Sequence, residues 1–308
     1  MATPHLGRER CFILKILPDD LKTRFSRRHF LQLSALGAGG LLAYSGEYER
    51  HHLEITRHTV ELARLSPALD GLRIAQLSDF HYEQWTEPYF IREVVAQVNR
   101  LAPDLVLLVG DYVSEGPMPP AKGAQMSYPC AEILSGIQCP QRWCVLGNHD
   151  AKVGPVIVTD ALESHGLPVL ANNYVPFERN GARLWIAGVK DVGVSDPDLH
   201  LAVPSSLQTA QEPVILLAHE PDFADRVVRH GGVDLMLSGH THGGQVRLPF
   251  FGAMYVPPLG RKYIEGLFHL ENGLQLYVNR GIGTVGVPFR FDCRPELTLI
   301  TLRSARAA

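Results

Sequence analysis

Five apolar runs in this chain each break off into a short polar block, and each block carries side chains suited to holding a cation. The first closes on Ser78-Asp79-Phe80-His81, the second on Gly110-Asp111 and the third on Gly147-Asn148-His149-Asp150. The fourth closes on Ala218-His219-Glu220 and the fifth on Gly239-His240-Thr241-His242-Gly243-Gly244. The runs at 72–77, 104–109, 142–146, 214–218 and 233–238 read as strands. Between them, Ile91, Val94, Val95 and Val98 recur at helical spacing over 90–101, and 131–137, 156–164 and 223–229 read as shorter helices. Further strands are expected at 184–189, 274–278 and 297–302. Repeated β–α–β units predict an α/β fold, and the two strand-rich stretches point to two sheets packed face to face.

The two clearest irregular stretches are 116–128, with Pro117, Pro119 and Pro120, and 252–260, with Pro257 and Pro258. Neither marks a domain boundary, so 46–308 reads as one catalytic domain. The chain has 308 residues, 45% hydrophobic and 20% charged, which excludes a disordered, collagen-like or polytopic membrane chain. Five Cys without a C-x-x-C pair do not make a disulfide framework, although Cys130 and Cys139 are close enough in sequence to pair after export.

The net charge of −3 conceals an asymmetry. Residues 1–45 carry seven Lys/Arg against three Asp/Glu, and the remainder carries 22 against 29. The acidic body gives no strong signal for a nucleic-acid partner. In the basic head, Ser26-Arg27-Arg28-His29-Phe30-Leu31 precedes an uncharged apolar run to Ser45. That run is shorter than the roughly 20 residues a membrane-spanning helix needs. Residues 1–45 are therefore expected to form a targeting segment, either cleaved or kept as an anchor. The arginine pair resembles a twin-arginine signal, with Gln32 where Lys is frequent. Cys11 to Leu17 is apolar but also too short to span.

In an open α/β sheet, ligands gather at the carboxyl ends of the strands. Side chains two apart, as in Asp79/His81 and His240/His242, leave an extended segment in the same general direction. Carboxylate, carboxamide and imidazole suit Mn, Fe, Zn and, more weakly, Mg. Two Asp, one Asn and four imidazoles suffice for two divalent ions, one carboxylate bridging them at about 3.5–4 Å.

The blocks D-x-H, GD, GNHD, a lone His and GHTH, in that order, resemble the calcineurin-like metallophosphoesterases. The longer GHTHGGQ, with Asn279-Arg280-Gly281-Ile282-Gly283-Thr284 and Arg294-Pro295-Glu296, is similar to the YaeI/YkuE-type branch. The likeness covers about 50–302 and implies a four-layer α/β/β/α sandwich of two mixed sheets flanked by helices. It implies that Asp79, His81 and His242 hold one metal, that Asp111 bridges, and that Asn148, His219 and His240 hold the second. It further implies that His149 protonates the leaving oxygen, with Asp150 orienting that imidazole. The activity implied is hydrolysis of a phosphodiester or pyrophosphate bond by metal-activated hydroxide.

Several readings stay open. Arg280 and Arg290 suit either a substrate phosphate or an ion pair. Trp85 and Tyr112 suit either the mouth of the site or packing, whereas Trp143 and Trp185 read as core and His51 and His52 as solvated. The expected partners are a phosphate-ester or pyrophosphate substrate, lipid-linked given the membrane address, and the twin-arginine export machinery, which places the chain in the bacterial envelope. A nuclease, a cyclic-nucleotide phosphodiesterase and a non-catalytic metal-binding envelope protein are the alternatives.

Overall fold

A computed structural model of the chain describes residues 26–82, 85–116 and 120–305. The chain divides into two units, one ending at Tyr44 and one beginning at Ser45. In the first, helix α1 (Arg27–Ala43) starts on Ser26, whose hydroxyl accepts the N–H of His29, and buries none of its residues. Among the described residues no helix is long and apolar enough to cross a membrane. Residues 1–25 of the expected targeting segment lie outside the described residues.

In the second unit the strands follow as β1 (Glu54–Leu62), β2 (Arg73–Leu77), β3 (Leu105–Val109), β4 (Arg142–Val145), β5 (Asn173–Arg179), β6 (Ala182–Gly188), β7 (Val214–Leu217), β8 (Leu235–Ser238), the hairpin β9 (Arg247–Leu248) and β10 (Gly252–Ala253), β11 (Gly266–His269), β12 (Gln275–Val278) and β13 (Glu296–Ser304). The helices are α2 (Pro88–Leu101), α3 (Pro120–Leu134), α4 (Asn148–Val153), α5 (Pro155–Ser164), α6 (Leu199–Ala202), α7 (Ser205–Gln208) and α8 (Ala224–His230). One sheet runs β1-β13-β2-β3-β4 and the other β11-β12-β8-β7-β6-β5. Both are mixed: β2, β3 and β4 are parallel with β13 antiparallel to β2, and β6, β7, β8 and β12 are parallel between antiparallel β5 and β11.

The period of two along each strand builds the layers. Leu105, Leu107 and Val109 of β3 face Ile215, Leu217, Leu235 and Leu237 of the second sheet in one core. Val106 and Leu108, on the other face, pack with Phe90, Ile91, Val94 and Val98 of α2, with α3 and with α5. Leu216 and Met236 turn outward to α6, α7 and α8. The result is the four-layer α/β/β/α sandwich.

One local expectation is corrected. The stretch 116–128 is not a loop throughout: α3 begins at Pro120, a helix start that proline tolerates, and runs through an interior Pro129. Pro117, Met118 and Pro119 lie outside the described residues. Cys130 and Cys139 are free, buried thiols. In addition, β1 and β5 escape a hydrophobicity reading because they are half-exposed edge strands.

Candidate metal centre

The residues following β2, β3, β4, β7 and β8 meet at one end of the sandwich, three blocks from one sheet and two from the other. Their backbones are laced together. The N–H of Asp79 donates to Gly110 O, those of Phe80 and His81 to Asp111 O, and that of Gly239 to His219 O. To turn side chains inward straight after an extended strand, Asp79 (φ 55°), His81 (45°), Asp111 (58°), His240 (72°) and His242 (50°) all take left-handed backbone. Non-glycine residues seldom do so, and such strain collects at functional sites. Gly110 also has positive φ, and a Cβ there would lie 2.8 Å from His219 Nδ1.

Asp79, His81 and His242 present ligand atoms to one another, as do Asp111, His219 and His240. Asp111 Oδ2 lies 3.1 Å from His219 Nε2 and 3.6 Å from His81 Nε2, so one carboxylate faces both groups. Asp79 Oδ1 is 3.4 Å from His242 Nε2. Outer partners fix the rings: His219 Nδ1–H donates to Val109 O (2.6 Å), and His240 Nε2–H donates to Pro258 O (2.8 Å). His81 Nδ1 bonds Ser114 Oγ (2.6 Å), leaving Nε2 for the centre.

These residues fit a dinuclear divalent centre. His81 Nε2 and His242 Nε2 face each other at 3.0 Å, and buried His219 Nε2 and Asn148 Oδ1 have no hydrogen-bond partner. Lone pairs converging in a dry site call for a cation. The titrations agree. Burial, aided by neighbouring imidazolium charge, pushes His81 well down, and burial with Arg290 does the same to His242, so both rings are neutral and free to ligate. Burial and His219 bring His240 to about 4. At His219 burial also lowers, but the Asp111 carboxylate overcomes it and the ring sits well above its usual range. At Asp111 burial raises, yet His219 and His149 hold the carboxyl well below the usual carboxylate range.

His149 stands at the rim, its backbone N–H donating to Asp111 Oδ1 (2.9 Å). Burial lowers its pKa, but Asp111 and Glu115 outweigh that and raise it. The hydrogen bonds of Asp150 go to the backbone. Its buried carboxylate accepts the backbone N–H groups of Asp111, Tyr112, Val113 and Gly147, so it ties the second block to the third. The group against His149 Nδ1 is Glu115, in an ion-pair contact without the alignment of a hydrogen bond. Glu115 and Ser114 were missed, although both follow Gly110-Asp111 within five residues.

The open readings resolve toward structure. Arg290 is fully buried and donates to the carbonyls of Arg280, Gly281, Gly283 and Cys293. Arg280 pairs with Glu54 (2.8 Å) and Glu296 (3.1 Å). Tyr112 is buried with its hydroxyl donating to Leu108 O and Val145 O, so it lines no mouth. His51 is half-buried and paired: Nε2 meets Glu87 Oε2 at 2.8 Å. A cavity of about 690 Å³ opens over the centre, with Asp111, Asn148, His149, His240 and His242 below and Val194, Val246, Met254, Tyr255, Pro257, Leu259 and Val287 around the walls.

The profile of the calcineurin-like phosphoesterase family matches residues 72–244. The chain is 32% identical over 91% of its length to an uncharacterized metallophosphoesterase of Bacillus subtilis, YkuE, of which it covers 99%. It is 30% identical over 90% of its length to the phosphodiesterase YaeI of Escherichia coli, again covering 99% of that protein. Among solved structures, a dimetal phosphatase from Danio rerio is 13% identical with a TM-score of 0.46, covering 75% of this chain and 99% of that one.

Proposed function

Since the chain belongs to the calcineurin-like phosphoesterase family, we propose that it hydrolyses a phosphodiester or pyrophosphate bond in a lipid-linked substrate. In this reading Asp79, His81 and His242 hold one divalent ion, Asn148, His219 and His240 the other, and Asp111 both. Bound there, the pair supplies Lewis acidity toward phosphoryl oxygens and lowers the pKa of water. The remaining work falls to the chain. His149 carries a proton at the rim and delivers it to the departing oxygen, while Glu115 holds Nδ1 so that Nε2 faces the cavity. Asp150 keeps Asp111 in place through the backbone.

The observation that carries this is the Asp111 carboxylate facing two ligand groups at once, beside the His149 imidazole, whose pKa Asp111 and Glu115 raise against the lowering effect of burial. The apolar walls support a lipid-linked substrate, because a phosphate at the floor leaves a tail against Met254, Tyr255 and Leu259. The test is hydrolysis by full-length protein loaded with Mn, Fe, Zn or Mg. Bis-p-nitrophenyl phosphate should turn over faster than p-nitrophenyl phosphate, and a long-chain alkyl diester should have a lower KM than its short-chain analogue. A monoester preference, or no effect of chain length, contradicts the substrate assignment.

We also propose that residues 1–45 direct the chain to the bacterial envelope through the twin-arginine machinery. The support is the Arg27-Arg28 pair at the start of α1 and the uncharged apolar face that this helix leaves exposed. Arg27→Lys with Arg28→Lys should retain the protein in the cytoplasm; unchanged fractionation sinks the assignment.

A further inference from the structure

The rim of the cavity continues into an apolar prominence that stands exposed among the described residues. The β9–β10 hairpin turns through Leu248-Pro249-Phe250-Phe251, closed by the Phe251 N–H on Leu248 O (3.1 Å). Pro249 suits the second position of such a turn. The third position holds Phe250 at φ 69°, a conformation that favours glycine and is a genuine outlier for a bulky side chain. Phe250 is fully exposed (105%) and Phe251 is 83% exposed, and Met254 and Tyr255 beside them are also in solvent. Strained backbone holding two phenyl rings out in water is the reverse of what folding alone selects, and a contiguous exposed apolar patch marks an interaction surface.

Two features decide what it meets. The prominence is convex, so it needs no complementary pocket; the interfacial region of a bilayer receives aromatic rings without one. In addition, the cavity is polar at its floor and apolar at its rim, which matches an amphiphile presented head first.

We propose that this rim docks on a phospholipid bilayer, with Phe250 and Phe251 entering the interfacial region and the cavity mouth facing the membrane. What is drawn in rests on the phosphoesterase reading above; the docking itself does not. The test uses the full-length chain carrying Phe251→Trp, mixed with phosphatidylethanolamine/phosphatidylglycerol vesicles. Acyl-chain-brominated lipids should quench the added emission beyond that of Trp85, Trp143 and Trp185, and the vesicles should shield it from acrylamide. Unchanged acrylamide access overturns the proposal. Shielding that already exists without lipid identifies a second copy or a protein partner, and overturns it equally. In a second arm, Phe250→Ser with Phe251→Ser should lower vesicle partitioning by at least about tenfold, while hydrolysis of bis-p-nitrophenyl phosphate stays at the wild-type rate. Wild-type partitioning in that variant also contradicts docking. If the wild-type protein hydrolyses no diester, the phosphoesterase reading fails and the quenching result still decides the docking.

Discussion

The carboxylate of Glu115 lies against Nδ1 of His149, and each group shifts the other. Burial alone would raise the Glu115 carboxyl, but His149 brings it down to about 2. At His149 burial would lower, and Asp111 with Glu115 raises instead. The pair therefore presents an imidazole whose protonated form is favoured, beside the candidate metal ligands.

Removing either member should separate turnover from metal binding. His149→Ala is expected to lower kcat by about 10²–10⁴-fold, the range of a lost general acid, with metal content unchanged. Glu115→Gln should lower kcat less than His149→Ala and leave metal content intact. Metal analysis alongside steady-state kinetics checks both. A loss of bound metal in His149→Ala would show that the ring is a ligand instead.

Asp150 should behave as a structural residue. Its carboxylate is the acceptor for four backbone N–H groups, so Asp150→Ala is expected to destabilise the fold by about 3–5 kcal/mol. Urea unfolding measures this directly. A variant of wild-type stability with lost turnover would return Asp150 to the chemistry.

The Arg280–Glu296 pair should give a pH-dependent contribution to stability. Burial would raise the Glu296 carboxyl, but Arg280 outweighs it and holds the carboxyl below 4.5. A depressed folded-state pKa stabilises above the unfolded value and loses that contribution as pH falls. Glu296→Gln breaks a buried pair and should cost about 3 kcal/mol at neutral pH. The gap between the two proteins should be full above pH 4.5 and close as the pH falls through the depressed range. Urea midpoints across pH 3–7 check the sign; a gap that widens toward acid would refute it.

The candidate ligand set was legible because Asp79, Asp111, Asn148, His219, His240 and His242 each interrupt or closely follow a strongly apolar run, where a polar residue is conspicuous. The sandwich was legible for the same reason, since β3 and β7 are buried on both faces. What escaped lacks that contrast. Glu115 and Ser114 lie in a loop where polar residues are unremarkable. The acceptor role of Asp150 depends on amides brought from a different strand end. Pro119, Pro120 and Pro129 disguised α3, because proline at a helix start looks the same in sequence as proline in a loop. The left-handed backbone at five candidate ligand positions has no signature in residue type at all.

The central claim is that the Asp111 carboxylate serves two cations at once. The most direct test is metal content and bis-p-nitrophenyl phosphate turnover of purified, metal-loaded Asp111→Asn beside the wild-type protein. The predicted result is loss of at least one bound ion per chain, with hydrolysis lowered by at least about 10³-fold. Full metal content with near-normal turnover would contradict it.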